Sequence, residues 1–420
     1  MELLTSKLRH ALDKRDREHR LIKPVSPAIM ARMTDFGSND TLGLSTSGIL
    51  TRAFLEQIGH SPGFMVGSTS TRIFEGTRQY LSDLEDGLAQ FHNAEEALFF
   101  NSGFDANVAV FSTIPRPDDI IVHDEYVHAS IHEGMKRGRA RTISFPHNDC
   151  YAFRHCLEHL RYNDHEVADG KRIIFIVIES IYSMDGDTAP VQGLLQIARE
   201  TLPRGNFVFC IDEAHSNGIV GPNGAGFVSN YGLEKEFGIR LHTCGKALGS
   251  NGAVVLCNRA IKDTLINYAK NVIFTTAPSF VTAAAVRAGY KVICSDEGEK
   301  RRENLQQNLR HFYEVLLNHP DWEAVERQKV LRVPTTRQWT RRLFHTPIIP
   351  LITPPDEENA LARYMQQARF LANPVRYPIV PKGLGRVRIS MHADNTTQSI
   401  NEVVRVIMEW GTTRMKRAIR

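Results

Sequence analysis

Residues 209–221 read FCIDEAHSNGIVG: an apolar run ends in Asp212, and Glu213, Ala214 and His215 follow. Two chemistries use acidic residues in such a place. In nucleic-acid helicases an Asp-Glu pair handles magnesium and water. In another kind of enzyme a buried Asp at a strand end keeps a cofactor ring protonated. The first requires a phosphate loop, G-x-x-x-x-G-K-[ST], upstream of the acids. The best Gly-Lys pair, Gly245-Lys246, lies downstream, is followed by Ala247, and has Arg240 where the first glycine belongs. No hydroxyl follows the lysine to hold magnesium, so the helicase reading fails.

The second chemistry finds more support. Lys246 stands among small residues in HTCGKALGSNG, just before an apolar run. Desolvation in such a setting lowers an amine's pKa and makes it a nucleophile towards carbonyls, although an isolated lysine is usually a surface charge. Asp212 closes the run FVFCI, and Glu179-Ser180 closes FIVI. Acids at strand ends often only cap the next helix, but in open α/β sheets that edge is where ligands bind. FFNSGFDAN passes from a strand to a helix start at Gly103-Phe104, where backbone N–H groups can hold a phosphate. VHDEYVHASIHEG holds His123, His128 and His132, but Lys136 occupies the place of the second ligand of H-E-x-x-H. A zinc site is not expected there; a planar histidine can instead stack on an aromatic cofactor. A lysine for a carbonyl, an acid for a ring nitrogen and a phosphate cradle are the needs of pyridoxal 5′-phosphate.

These residues need a frame. The chain has 420 residues, 42% hydrophobic and 23% charged, with 51 basic and 47 acidic side chains giving a net charge of +4. That is globular composition, and the length suggests about two to three domains. The charge is too small to argue for nucleic acid or a membrane, and no apolar run approaches the ~18 residues that span a bilayer. The six cysteines form no C-x-x-C pair and read as buried free thiols in a reducing compartment. The N-terminal stretch lacks a secretory core and carries Glu2, Asp13, Asp16 and Glu18, the last three residues AIR are not the peroxisomal signal, and RMKRAIR reads as a solvated helix end. A cytoplasmic location is expected.

Residues 1–22 predict an amphipathic helix within an N-terminal segment, 1–50. In 82–97, Leu84, Leu88 and Phe91 share a helical face, and Ser82 with Glu85 reads as a capping box. ALFF (97–100), DIIVHD (119–124), IIFIVIES (173–180), NFVFCID (206–212) and GAVVLC (252–257) are short, nearly continuous apolar runs. They predict strands buried on both faces of a mostly parallel sheet, in an α/β cofactor domain over 51–295. A smaller α+β domain, 296–420, is expected from a charged helix (296–316), a strand (346–352), a helix (356–369), a half-exposed alternating strand GRVRISM (385–391) and a closing helix (396–410).

The chain resembles the α-oxoamine synthases, a branch of the fold-type I pyridoxal-phosphate enzymes that includes 8-amino-7-oxononanoate synthase and serine palmitoyltransferase. The likeness runs from ALDKR (11–15) to RVRISMHA (386–393) and rests on ESIYSMDGDTAPV, DEAHSNGIVGPNGAG, HNDCYAFRHCLEHL and TCGKALGSNGAVVLC together. It implies that Lys246 bonds the cofactor and later moves the substrate proton, that Asp212 pairs with the pyridinium nitrogen, and that His215 reaches the ring hydroxyl. It further implies that His128 stacks on the ring, that Ser183 lies close to it, and that Gly103, Phe104 and Thr243 hold the phosphate. Thr276 is implied to add a contact from the second subunit of an obligatory homodimer. Arg388 is implied to bind the amino-acid carboxylate beside Asn39. The implied reaction joins a small amino acid, L-alanine favoured, to an acyl thioester of CoA or a carrier protein, with loss of carbon dioxide. Departures from the family pattern fall at Thr41, Thr69-Ser70, Leu81 and Ile379, near the expected substrate cleft. They leave two acyl donors open, a pimeloyl thioester or a polyketide or fatty acyl chain released from a carrier. An aminotransferase or aldolase of the same fold is a rival. A non-catalytic partner subunit is another, though such subunits have lost the lysine that stands here at 246.

Overall fold

A computed structural model describes residues 1–18, 20–21, 25–337 and 339–418. The strand-forming runs are rich in Val, Ile and Phe, which pack well on a pleated surface. They give β1 (Glu96–Phe100), β2 (Ile120–Asp124), β3 (Arg141–Phe145), β4 (Ile174–Glu179), β5 (Phe207–Asp212), β6 (Phe237–Thr243) and β7 (Ala253–Cys257). The seven form one sheet in the order β1-β7-β6-β5-β4-β2-β3. Only β7 runs against its neighbours; the other pairings are parallel. Alternate residues feed two cores. Ile174, Ile176 and Ile178 join Phe209 and Ile211 in one, whereas Phe175 and Val177 join Cys210, Ile239 and Leu241 in the other. Both faces of the sheet are therefore covered, which is why these runs read as continuously apolar.

Two strands were absent from the expected set. β3 is edge-exposed and polar, and β6 carries Arg240 and His242 at alternate positions, both buried. Polar residues inside an apolar strand hide it from a reading of hydropathy.

Among the helices, α1 (Glu2–Arg17) buries no residue and leaves Leu4, Leu8 and Leu12 exposed. The rest of its predicted span includes His19 and Ile22, which lie outside the described residues, as do the last two residues of RMKRAIR. α2 (Gln79–Phe91) buries Leu84 and Leu88 as expected, but it starts earlier, at N-cap Arg78. The capping box is thereby corrected. Ser82 lies inside the helix, and Glu85 is buried, pairs with Arg72 and accepts the Phe99 N–H at 2.6 Å. α3 (Gly103–Thr113) starts where predicted, with Ser102 Oγ accepting the Asp105 N–H at 3.1 Å. α4 (Ala129–Arg137) follows His128, whose Nδ1 accepts the Ser130 N–H at 3.2 Å.

Further along, α5 (Asp296–Leu317), α6 (Glu358–Gln367) and α7 (Thr397–Ala418) pack with a second, antiparallel sheet. Its strands are β8 (Ile348–Ile352), β9 (Asn373–Val375) and β10 (Arg386–Ser390), in the order β9-β10-β8. Thr34–Asp35 pairs in parallel with Phe370–Leu371, which fixes the segment carrying Asn39 beside this sheet. β10 was expected to be half-exposed, and it is buried throughout. Its polar alternates are Arg386 and Arg388, whose guanidinium groups are held by hydrogen bonds rather than by water. The cysteine expectation also needs correction: all six are free, but only Cys210, Cys244 and Cys257 are buried, Cys150 and Cys156 are half-buried, and Cys294 is exposed.

Candidate active site

The carboxyl ends of β4, β5 and β6 deliver Glu179, Asp212 and Thr243 to one edge of the sheet. Glu179 and Asp212 are direct cross-strand partners, so their side chains leave the same face. The turn after β6 then carries Lys246. That turn closes through Ser250 N–H to Cys244 O at 3.0 Å and Cys244 N–H to Gly252 O at 2.9 Å. Gly252 sits at φ +92, and a Cβ there would meet Phe99 Cζ at 2.2 Å, so only glycine lets the lysine turn lie against β1.

These groups enclose a cavity of about 150 Å³ lined by Gly103, Phe104, His128, Ser183, Asp212, His215, Thr243 and Lys246. Every residue expected at the cofactor thus meets in one place, except Thr276. Thr276 is exposed, its carbonyl accepts from Asn101 Nδ2, and it is not in the cavity wall. Three further polar wall residues carried no sequence signal of their own or only that of a strand end: Asn107, Ser130 and Glu179.

The polar groups form a chain. Asn107 Nδ2 donates to Asp212 Oδ2 at 2.8 Å and to Ser130 Oγ at 3.0 Å, and Ser130 Oγ lies 2.7 Å from His128 Nδ1. Asp212 Oδ1 accepts the Ala214 N–H at 2.9 Å. One buried amide therefore orients both the acid and the ring expected to stack. Lys246 Nζ lies 2.8 Å from His215 Nε2. Burial pulls the Lys246 amine down to about 8, with Asp212 and Glu179 opposing and Arg388 assisting. Burial, with help from Lys246, keeps His215 far below the ordinary histidine value, so its neutral Nε2 accepts from the ammonium. Glu179 is fully buried, and burial together with the Asp212 charge raises its pKa well above the carboxylate range. Two like charges on adjacent strand ends cannot both ionise cheaply; Asp212 has two donors, while Glu179 Oε1 has no partner, so Glu179 carries the proton.

Above the cavity, Arg388 Nη2 donates to Asn39 Oδ1 at 2.5 Å and to Ser390 Oγ at 3.0 Å, and Nη1 donates to Ser183 O at 3.2 Å. Burial lowers Arg388 to about 10, which leaves it charged at neutral pH. Ile379 is 63% exposed and stands on the rim of a larger cavity next to the first. Leu81 is buried in a separate apolar cavity with Phe64 and Phe280 that shares no wall residue with the cofactor cavity. Among the described residues, no group of three or more His, Cys, Asp or Glu side chains is placed to hold a metal ion.

Pyridoxal phosphate fits this donor set. A carboxylate and an amine face one another across a narrow cavity, and a planar histidine forms a wall. Gly103 and Phe104 open α3, where N–H groups lack intrahelical partners. A Cβ at Gly103 would come to 3.4 Å from Thr243 Oγ1, narrowing the cradle. Asp105 in the same turn is tied back, accepting from Ser102 Oγ at 2.9 Å.

Comparison with known proteins agrees. The family described as aminotransferase class I and II matches residues 31–407. The chain is 40% identical over 377 residues to the aminoacyl transferase sphA of Aspergillus fumigatus, covering 90% of this chain and 80% of that protein. It is 39% identical over 411 residues to the 8-amino-7-oxononanoate synthase of Emericella nidulans, covering 97% and 96%. The crystal structure of 8-amino-7-oxononanoate synthase from Francisella tularensis superposes with a TM-score of 0.70 at 26% identity, over 91% of this chain and 99% of that one. The chain belongs to the aminotransferase class I and II family and, within it, to the α-oxoamine synthases. It is a fold-type I enzyme whose cofactor is pyridoxal 5′-phosphate.

Proposed function

We propose that this enzyme joins a small L-amino acid, alanine favoured, to an acyl thioester carried by CoA or a carrier protein. A carbon–carbon bond forms between the amino acid's α-carbon and the acyl carbonyl, the thiol leaves, and the carboxyl group departs as carbon dioxide, giving an α-amino ketone. The observation that carries this reading is the convergence of Lys246, Asp212, His215 and His128 on one cavity with the Arg388–Asn39 pair above it. When bound, pyridoxal phosphate supplies an electron sink for the α-carbon. Lys246 anchors it through its carbonyl carbon and then holds and moves the α-proton, a task suited to an amine near pKa 8. Asp212 keeps the pyridine nitrogen protonated, His215 reaches the ring hydroxyl, and His128 stacks on the ring, with Ser183 close by. Gly103, Phe104 and Thr243 hold the phosphate. Arg388 clamps the amino-acid carboxylate, assisted by Asn39, and Ile379 borders the acyl path.

A homodimer is part of this proposal. Thr276 is exposed and outside its own cavity, as a residue serving the second subunit must be. Exposed Met65, Val66, Phe74 and Phe274 supply apolar surface for a partner copy. The free cysteines support a reducing, cytoplasmic setting, and no helix among the described residues is long and apolar enough to cross a membrane. Mass analysis of products from mixed amino acids and acyl thioesters tests the reaction. Borohydride reduction of the holoenzyme should fix the cofactor on one peptide containing Lys246, and labelling of another lysine would overturn the site.

A further inference from the structure

His92, Asn217 and Tyr290 are buried beside the lysine turn, and none of them lines the cofactor cavity. Tyr290 belongs to the helix Phe280–Ile293. That helix lies so close to the turn that a Cβ at Gly289 would stand 3.2 Å from Leu248 O. The three side chains form a row that ends on Thr243. His92 Nδ1 lies 3.0 Å from Ala225 O, and its Nε2 lies 2.9 Å from the Tyr290 hydroxyl. Burial, helped by the Arg240 charge, pulls His92 down to about 3, so its ring is neutral and carries one N–H. A carbonyl only accepts, so that hydrogen is on Nδ1, and Nε2 accepts from the Tyr290 hydroxyl. With its hydrogen committed, the Tyr290 oxygen can only accept, and Asn217 Nδ2 donates to it at 3.3 Å. The same amide nitrogen donates to Thr243 O at 3.0 Å.

Thr243 O needs that donor. Residues two apart on a strand aim their carbonyls the same way. Leu241 O accepts the Glu213 N–H at 2.7 Å, but β5 has ended at Asp212 and offers Thr243 O no further backbone N–H. The Asn217 side chain continues the ladder by one step. Thr243 is thereby held where its Oγ1 donates to Gly252 O at 3.3 Å and accepts the Gly245 N–H at 3.4 Å. There it also faces the first residue of α3, Gly103.

On the reading given above, in which Thr243 and the start of α3 hold the cofactor phosphate, we propose that Tyr290 is a positioning residue for that cradle. Its hydroxyl, fixed by His92, orients the Asn217 amide, and the amide holds the Thr243 end of β6 opposite Gly103. Tyr290 touches neither cofactor nor substrate, and it acts on the phosphate and not on the ring.

The test titrates the full-length apoprotein with pyridoxal 5′-phosphate and with pyridoxal, which lacks the phosphate, each followed by absorbance. Tyr290→Phe keeps the ring and removes the hydroxyl. It should weaken pyridoxal phosphate by roughly 2- to 10-fold, the scale of one neutral hydrogen bond, and leave pyridoxal within about twofold of wild type. The phosphorus resonance of the bound cofactor should shift in the same variant. Asn217→Ala should lose more, roughly 5- to 150-fold, because it leaves the buried Thr243 carbonyl unpaired. The double variant should lose no more than Asn217→Ala alone, because Tyr290 acts through that amide. Equal losses for both ligands in Tyr290→Phe would make Tyr290 a packing residue and overturn the inference, as would unchanged binding of pyridoxal phosphate. Asn217→Ala without the expected loss overturns it independently. Thr243→Val separates the inference from the reading beneath it. If that variant binds pyridoxal phosphate as wild type does, Thr243 does not hold the phosphate, and both fall. If it loses the phosphate form selectively while Tyr290→Phe does not, the cradle stands and only the role of Tyr290 falls.

Discussion

Asn107 was invisible in the sequence, yet its amide stands between Asp212 and the Ser130–His128 pair of the proposed cofactor site, and Asn107→Ala separates them. The substitution removes the 2.8 Å bond to Asp212 Oδ2 and the 3.0 Å bond to Ser130 Oγ. Asp212 keeps only the Ala214 N–H at its other oxygen. A hydrogen bond to a charged group contributes about 1.5–3 kcal/mol, so cofactor affinity should fall by roughly 10- to 150-fold, at about 1.4 kcal/mol per factor of ten. Ser130→Ala serves as the comparison. It spares the Asp212 bond and removes two neutral ones, to Asn107 Nδ2 and His128 Nδ1, for which about 0.5–1.5 kcal/mol each, or roughly 2- to 10-fold each, is expected. The assay is titration of the apoprotein with pyridoxal phosphate followed by absorbance, with thermal unfolding of each apoprotein to separate binding from folding. An Asn107→Ala protein that binds within twofold of wild type would show that Asp212 does not depend on this amide. Equal losses in both variants would show that the chain acts through His128 alone.

Four other outcomes are expected. Capture of the cofactor by the apoprotein should accelerate up to about pH 8 and then level off, because the folded Lys246 amine loses its proton near 8 rather than 10.5; a rate still climbing at pH 10 would mark an ordinary lysine. Arg388→Lys should raise the amino-acid KM strongly with little change in the cofactor spectrum, since an ammonium cannot reproduce a fork that also spans Asn39 and Ser183; unaltered amino-acid kinetics would move the carboxylate site elsewhere. Asp212→Asn should abolish turnover in a folded protein. Glu213→Gln should instead lower the unfolding midpoint by the equivalent of about 1–3 kcal/mol, the cost of unsatisfied buried donors; equal, mild kinetic losses in both would reduce this motif to a structural turn. His147 should make stability fall as the pH rises from about 6.5 towards 10. Burial opposes its charge, but hydrogen bonds to Asp124 and Asp187 outweigh that and raise its pKa to about 10. The folded state thus holds the extra proton across that window, with the stabilisation complete below it and lost above. A thermal midpoint that is flat with pH in wild type, or that slopes equally in His147→Gln, would refute this.

What was legible in the sequence divides by type of signal. Apolar runs of β4, β5 and β7 announced a doubly covered parallel sheet because each strand is buried on both faces. The residues that line the cavity were legible because their chemistry is rare in combination and their spacing matches a known family. Relations made across the fold were not. Asn107 looks like any helix residue until β5 brings Asp212 within 2.8 Å, across 105 positions of chain. β10 looked half-exposed because alternation of arginine with Val and Ile is what a solvent-facing strand also shows. Its arginines face protein acceptors instead: Met184 O and Asp185 for Arg386, Asn39 and Ser183 O for Arg388. Hydropathy records that a group needs partners, not whether water supplies them.

The same distinction resolves the tetrapeptide DEAH. Successive residues leaving a strand point to opposite sides, so its two acids part company. Asp212 faces the cavity with Glu179 beside it and Lys246 across from it. Glu213 turns away and is fully buried. It accepts Ser216 Oγ at 2.6 Å, Val228 N–H at 3.2 Å and the Phe227 N–H. Gly226, at φ +115, leaves no room for a Cβ, which would stand 2.4 Å from Glu213 Oε2. The chain there must pass close enough for its N–H groups to reach the carboxylate. Glu213 thereby pins the 226–228 turn under the strand end, and His215, two residues on, returns to the cavity and meets Lys246 at 2.8 Å. Here one acid faces the cavity, where we propose that it serves the ring nitrogen, and the other holds the backbone that keeps the first in place, so the four letters describe a strand end and its anchor.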